Sequence, residues 1–180
     1  MLIKKKNLKV EIKNIPNCLT ISRLLLVLPL IIFLEIKALF PVFALIIIGG
    51  LTDYFDGLIA RKFNVKTRLG AILDPLSDKV FLLIPLLYLC KNNLIPFWSL
   101  SLLIFRELII SSFRNSTKNG LPASKLGKFK TFFFFISLVL FFFPITINLF
   151  IELGLVSYWL GFSLALITFI DYLRIKKNTI

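Results

Sequence analysis

Residues 53–78 read DYFDGLIARKFNVKTRLGAILDPLSD, and the layout of charge in that stretch decides the architecture. Asp53 and Asp56 stand three apart, Asp74 and Asp78 four apart, with Arg61, Lys62, Lys66 and Arg68 between the pairs. Spacings of three and four put each acidic pair on one face of a helix. The stretch closes one apolar run, Ala38–Lys62, and opens another, Gly70–Cys90. Each run is as long as a bilayer-crossing helix, which needs about 20 apolar residues. The pattern predicts a helical hairpin with a basic turn, Lys62–Leu69, and four carboxylates at the facing ends.

The same measure applied outward gives six spans: Asn17–Ile36, Ala38–Lys62, Gly70–Cys90, Leu94–Asn115, Leu126–Phe143 and Leu149–Leu173. Lys37, Lys91-Asn92-Asn93, Lys118-Asn119-Gly120 and Pro144 punctuate them as turn residues should. Composition agrees. Of 180 residues, 58% are hydrophobic and 17% charged, too apolar for a soluble domain of this size to cover. The expected fold class is therefore an all-α integral membrane protein with six transmembrane helices. Its single six-helix transmembrane domain covers 17–173, between a basic segment at 1–16 and a basic tail at 174–180. The N-terminal lysines lack an adjacent cleavage-site pattern and lead straight into a run of spanning length, which disfavours a cleaved signal peptide.

Charge sets orientation and narrows the partners. The net charge is +13, but the basic residues sit in short blocks between apolar runs. That distribution suits anionic lipid, membrane topology and phosphorylated ligands, and no nucleic-acid partner is expected. Seventeen of the 22 basic residues fall on one side of the six-span layout, against Lys37 and Lys91 on the other. Both termini are accordingly expected in the cytoplasm. Cys18 and Cys90 form no C-x-x-C, so neither a disulfide framework nor a zinc site is expected. The chain has no histidine, which removes the commonest general base and transition-metal ligand and turns attention to carboxylates.

Four of the nine acidic residues lie within those 26 positions. One ionised side chain at depth in a bilayer costs at least ~2.5 kcal/mol, and four that converge also repel one another. A cation or protons must compensate them. Carboxylate-only ligation favours a hard divalent ion, Mg²⁺ or Mn²⁺, and four carboxylates suffice for two ions. An isolated acid at a helix end is ordinarily interfacial, and Asp74 and Asp78 also suit the dipole of a helix N-terminus. Four from two helices, beside the small residues Gly57 and Ala60, are not explained that way. Small residues leave room for a ligand, although they serve plain helix packing too.

The stretch matches D-x2-D-G-x2-A-R-x8-G-x3-D-x3-D at every fixed position: Asp53, Asp56, Gly57, Ala60, Arg61, Gly70, Asp74 and Asp78. In this the chain resembles the CDP-alcohol phosphatidyltransferase family, over nearly its whole length. The resemblance implies two-metal attack of an acceptor hydroxyl on the β-phosphate of a CDP-lipid, with CMP leaving. It implies that Asp53, Asp56, Asp74 and Asp78 are metal ligands and that Asp78 is also the catalytic base. Gly57, Ala60, Arg61 and Thr67 would line the CDP-lipid site with Pro16 and Asn17, although Asn17 before an apolar helix is also an ordinary N-cap. The family further implies a homodimer, in a bacterial cytoplasmic membrane with the active site on the cytoplasmic side.

A second set of charges bears on the acceptor. Arg106 and Arg114 are eight residues apart, near the same helical face, and Lys125, Lys128 and Lys130 open the fifth span. Arginine forks and lysine ammoniums suit a phosphate monoester. The lysines are also explicable as positive-inside anchors, and Arg106 beside Glu107 as a structural contact. Within the family, Asn14–Arg23, the Arg106-Glu107 pair and Gly127–Thr131 are similar to members that transfer phosphatidyl from CDP-diacylglycerol to sn-glycerol 3-phosphate. Arg106, Arg114, Lys128 and Lys130 would then bind the acceptor phosphate. The rivals are a sibling transferase using phosphatidylglycerol, serine or inositol phosphate, and, from another class, a divalent-cation transporter. A transporter leaves Gly57, Ala60, Arg61 and the basic cluster unexplained.

Overall fold

The computed structural model describes residues 21–63, 68–116, 125–145 and 147–177, and the elements among them are helices. Residues 21–35 form α1. Then come α2 (Leu39–Phe63), α3 (Arg68–Lys91), α4 (Phe97–Ser116), α5 (Lys125–Phe141) and α6 (Asn148–Lys177). No strand occurs among the described residues. The six helices fall on the six apolar runs. By length and apolarity α6 meets the measure for crossing a membrane over Asn148–Arg174, while in α2 the apolar stretch Leu39–Tyr54 is shorter.

Two helix ends show how the punctuation works. At the end of α1, Lys37 takes a φ of 56°. Its N–H bonds to Leu34 O at 3.1 Å, and the Ala38 N–H reaches back to Phe33 O at 2.9 Å. Asn93 repeats the arrangement after α3, with a φ of 59° and a 2.9 Å bond from Leu94 N to Leu89 O. Both are left-handed caps that satisfy the last carbonyls, a position glycine ordinarily fills and asparagine tolerates. Lysine at 37 carries the Cβ penalty. Lys37→Gly is expected to raise stability by about 1 kcal/mol, read as a higher midpoint in thermal unfolding of the detergent-solubilised protein.

The chain divides into two compact units, Met1–Pro85 and Leu86–Ile180. In the first, α2 and the middle of α3 meet at Gly49, where a Cβ would fall on the ring of Phe81. Among the described residues of this unit, Val27, Leu30, Leu34, Val42, Ile46 and Phe81 are buried. In the second, α5 and α6 lie close along Gly154, Ser157 and Gly161 of α6. A Cβ at Gly161 would stand 3.2 Å from the Phe134 ring and 3.4 Å from Lys130 O. Hydroxyls tie the backbones: Ser137 Oγ donates to Gly154 O at 2.9 Å and Ser157 Oγ to Phe133 O at 2.8 Å. Small residues and hydroxyl tethers are the means by which apolar helices associate when hydrophobicity alone does not distinguish partner from surroundings. Phe40, Phe97, Leu108, Phe129 and Val156 project outward from their helices.

Candidate active site

In the first unit the site is built on the facing stretches of two helices and backed by a third. Asp53 lies ten residues before the end of α2 and Asp78 ten residues after the start of α3. Gly49 and Asp53 are one turn apart on α2, Asp78 and Phe81 one turn apart on α3. The contact of Gly49 with the Phe81 ring thus lies one turn from each of the two carboxylates. Asp53 Oδ1 lies 3.3 Å from Nη1 of Arg23 on α1, and Asp78 Oδ1 accepts a hydrogen bond from that same nitrogen. Ser77 Oγ is 3.3 Å from it as well. Arg23 is 1% exposed, whereas the side chains of Asp53 and Asp78 are 58% and 45% exposed. The guanidinium is a buried floor, and the carboxylates open outward from it.

Two carboxylate oxygens from different helices thus converge on one positive atom. Hard, anionic and partly open to solvent, this donor set fits Mg²⁺ or Mn²⁺. Asp56, Gly57, Ala60, Arg61 and Asp74 lie on α2 and α3, but their side chains fall outside the described residues, as does that of Arg114. Pro16, Asn17 and Thr67 lie outside them altogether. Among the described residues no three acidic or sulfur side chains stand together as a complete metal cage.

The second unit holds the other charged cluster. Arg106 on α4 is 4% exposed and Lys130 on α5 is 9% exposed. Arg106 Nη1 donates to Glu107 Oε1 at 2.6 Å, and Lys130 Nζ donates to that same oxygen. Arg106 Nη2 donates to Thr168 Oγ1 at 2.6 Å and its Nε to Ala165 O at 3.2 Å, both on α6. The structure therefore brings Arg106 and Lys130 together, through Glu107, and leaves Lys128 exposed. Each of the three guanidinium nitrogens thus donates to a protein acceptor, out of the five N–H groups the fork carries.

Similarity to known proteins decides the family. A family model described as CDP-alcohol phosphatidyltransferase matches residues 13–169, a range that includes both charged clusters. The chain belongs to the CDP-alcohol phosphatidyltransferase family. Curated relatives of the chain carry narrower names. The CDP-diacylglycerol–glycerol-3-phosphate 3-phosphatidyltransferase of Rickettsia typhi is 36% identical over 132 residues, 67% of this chain and 71% of that protein. Its namesake from Rickettsia bellii is 30% identical over 177 residues, covering 92% and 97% of the two chains. A probable phosphatidylglycerophosphate synthase of Mycobacterium tuberculosis (strain H37Rv) is 31% identical over 172 residues, 91% of this chain and 82% of that one.

As a CDP-alcohol phosphatidyltransferase the chain is an enzyme, and some of the residues in each of its two charged clusters are invisible to pattern reading. Arg23 does carry a signal, as a lone arginine in an apolar run, which at depth is expensive unless partnered. Ser77 sits beside Asp78 and offers none. Glu107 is visible as the neighbour of Arg106, but nothing in the sequence says that Lys130, 23 residues away, shares its oxygen. Thr168 follows the apolar run Leu164–Ile167, and only the fold pairs it with Arg106.

Proposed function

We propose that this protein transfers the phosphatidyl group of CDP-diacylglycerol to sn-glycerol 3-phosphate, releasing CMP and forming phosphatidylglycerophosphate. The observation that carries the proposal is the convergence of Asp53 and Asp78, first and last residues of the family signature, on one point between α2 and α3. The names of the relatives supply the acceptor and the donor. Asp53, Asp56, Asp74 and Asp78 would hold two divalent ions. Bound there, such ions would neutralise the pyrophosphate and make the acceptor hydroxyl more acidic.

The protein's own groups do the rest. The acceptor oxygen forms a new bond to the β-phosphorus, the bond from that phosphorus to the bridging oxygen of CMP breaks, and CMP leaves with the electron pair. Asp78 takes the hydroxyl proton; a carboxylate is a weak base for an alcohol, so the proton moves late. Gly57, Ala60, Arg61, Thr67, Pro16 and Asn17 bind the CDP-lipid. Arg106, Arg114, Lys128 and Lys130 recognise the acceptor phosphate, with Glu107 fixing Arg106 and Lys130 in place. A lipid donor and outward apolar side chains on the helices support a six-span protein of the bacterial inner membrane. Both termini and the active site are assigned to the cytoplasmic side, and the protein to a homodimer.

The test is release of CMP from CDP-diacylglycerol by purified protein with Mg²⁺ or Mn²⁺, one acceptor per reaction. Release is expected with glycerol 3-phosphate and not with phosphatidylglycerol, serine or inositol phosphate. Release with one of the others instead would keep the chemistry and overturn the assignment of Arg106 and Lys130. If folded, metal-loaded protein releases no CMP with any of them, the transferase reading itself fails.

A further inference from the structure

Arg23 is the buried cation to which neither the family signature nor the acceptor cluster gives a task. It enters the site from α1, a helix outside the hairpin that carries the four aspartates. One nitrogen, Nη1, meets Asp53 Oδ1 of α2, Asp78 Oδ1 of α3 and Ser77 Oγ. An arginine at 1% exposure has given up its hydration, a loss that opposite charge and hydrogen bonds must offset. The two carboxylates stand to gain as well. They are like charges on adjacent helices, and without a cation between them they push the hairpin apart. A guanidinium behind them holds them together while their outer sides stay open.

The same oxygens are the ones a divalent ion requires. A positive charge fixed against them repels an incoming ion and shares the donors it would take. We propose that Arg23 is a positioning residue: its guanidinium is the built-in counter-charge that holds Asp53 and Asp78 together before metal binds, and it competes with the metal for their oxygens. This rests on the reading of Asp53 and Asp78 as metal ligands. It gives the hairpin one geometry in both states, and it weakens metal binding in exchange for order in the metal-free protein.

The experiment is thermal unfolding of the full chain in detergent micelles, in EDTA and across a Mn²⁺ titration, for wild type and Arg23→Gln. In EDTA the variant is expected to unfold roughly 5 °C below wild type. Mn²⁺ is expected to raise its midpoint more than it raises that of wild type, with half-saturation at roughly fivefold lower concentration. A residue that only fills space would lower the midpoint equally in EDTA and in Mn²⁺. Equal Mn²⁺ responses therefore overturn the proposal. A wild type with no Mn²⁺ response overturns the ligand assignment beneath it, and the proposal with it. Arg23→Lys covers the case in which the Gln variant does not fold: with the charge kept, its half-saturation should match wild type, and a fivefold fall would overturn the idea. In EDTA, Arg23→Gln should cost less on an Asp78→Asn background than alone, because the charge it balances has gone. Full additivity counts against the proposal.

Discussion

Asp78→Asn is expected to reduce CMP release about a thousandfold or more while leaving helix content and elution volume unchanged. The substitution is nearly isosteric and keeps an oxygen where Arg23 can donate to it, so the hairpin retains its shape. What it removes is a negative charge and a proton acceptor. Loss of a positioned general base costs about 10²–10⁴-fold by itself, and weakened ion binding adds to that. The two contributions separate in a Mn²⁺ titration against Asp53→Asn. Asp53 is assigned ligation alone, so its variant should regain much of its rate when Mn²⁺ is raised to saturation. The Asp78 variant should stay slow at any Mn²⁺ concentration, because added metal does not restore a proton acceptor. Equal recovery of both would remove Asp78 from the role of base and leave it a ligand like the others.

Both aspartates are legible in the amino-acid sequence alone. The apolar runs, broken by Lys37, by Lys91-Asn92-Asn93 and by Pro144, place the helices almost where they occur. Local chemistry sets those ends: Lys37 and Asn93 cap α1 and α3 by adopting positive φ, a property of three or four consecutive residues. Spacing likewise puts Asp53 and Asp78 on successive helices that the basic stretch joins, although each lies ten residues inside its helix rather than at the end. The third party to that pair is not legible. Arg23 stands 30 residues before Asp53, and its partners depend on how α1 rotates about its own axis, which the periodicity of a uniformly apolar helix does not fix.

The basic cluster divides in the same way. Charge type suggests that Arg106 and Lys130 await a phosphate, and their burial and convergence agree with a common task. Yet both donate to Glu107 Oε1, and Arg106 also to Thr168 of α6. Sequence offers Glu107 as a contact for its neighbour Arg106 and gives no sign that Lys130 meets the same oxygen. That pairing follows from the close approach of α5 and α6 along Gly154, Ser157 and Gly161, where the backbone next to Lys130 comes within reach of α6. For the proposed acceptor site the consequence is concrete: a phosphate must be read by the donors that Glu107 and Thr168 leave over, in a geometry they have already fixed.

The same dependence of chemistry on helix separation makes Gly49 a sensitive position, although it is assigned no contact with substrate. Gly49→Leu is expected to lower kcat about a hundredfold with secondary structure intact. A side chain at 49 meets the tip of the buried Phe81 ring. Because burial leaves the ring little room to turn aside, the strain is expected to pass to the backbones that carry Asp53 and Asp78, each one turn away. Overpacking of this kind shifts backbones, and a displacement of about 1 Å in a catalytic group is enough for a hundredfold loss. Removing the obstacle should restore the geometry. Gly49→Leu combined with Phe81→Ala lets the leucine occupy the volume of the ring and should recover most of the rate, whereas Phe81→Ala alone leaves a cavity and chiefly lowers the thermal midpoint. A double variant no faster than Gly49→Leu would show that the loss comes from something other than the α2–α3 distance. A fully active Gly49→Leu would break the link between that distance and the carboxylate pair.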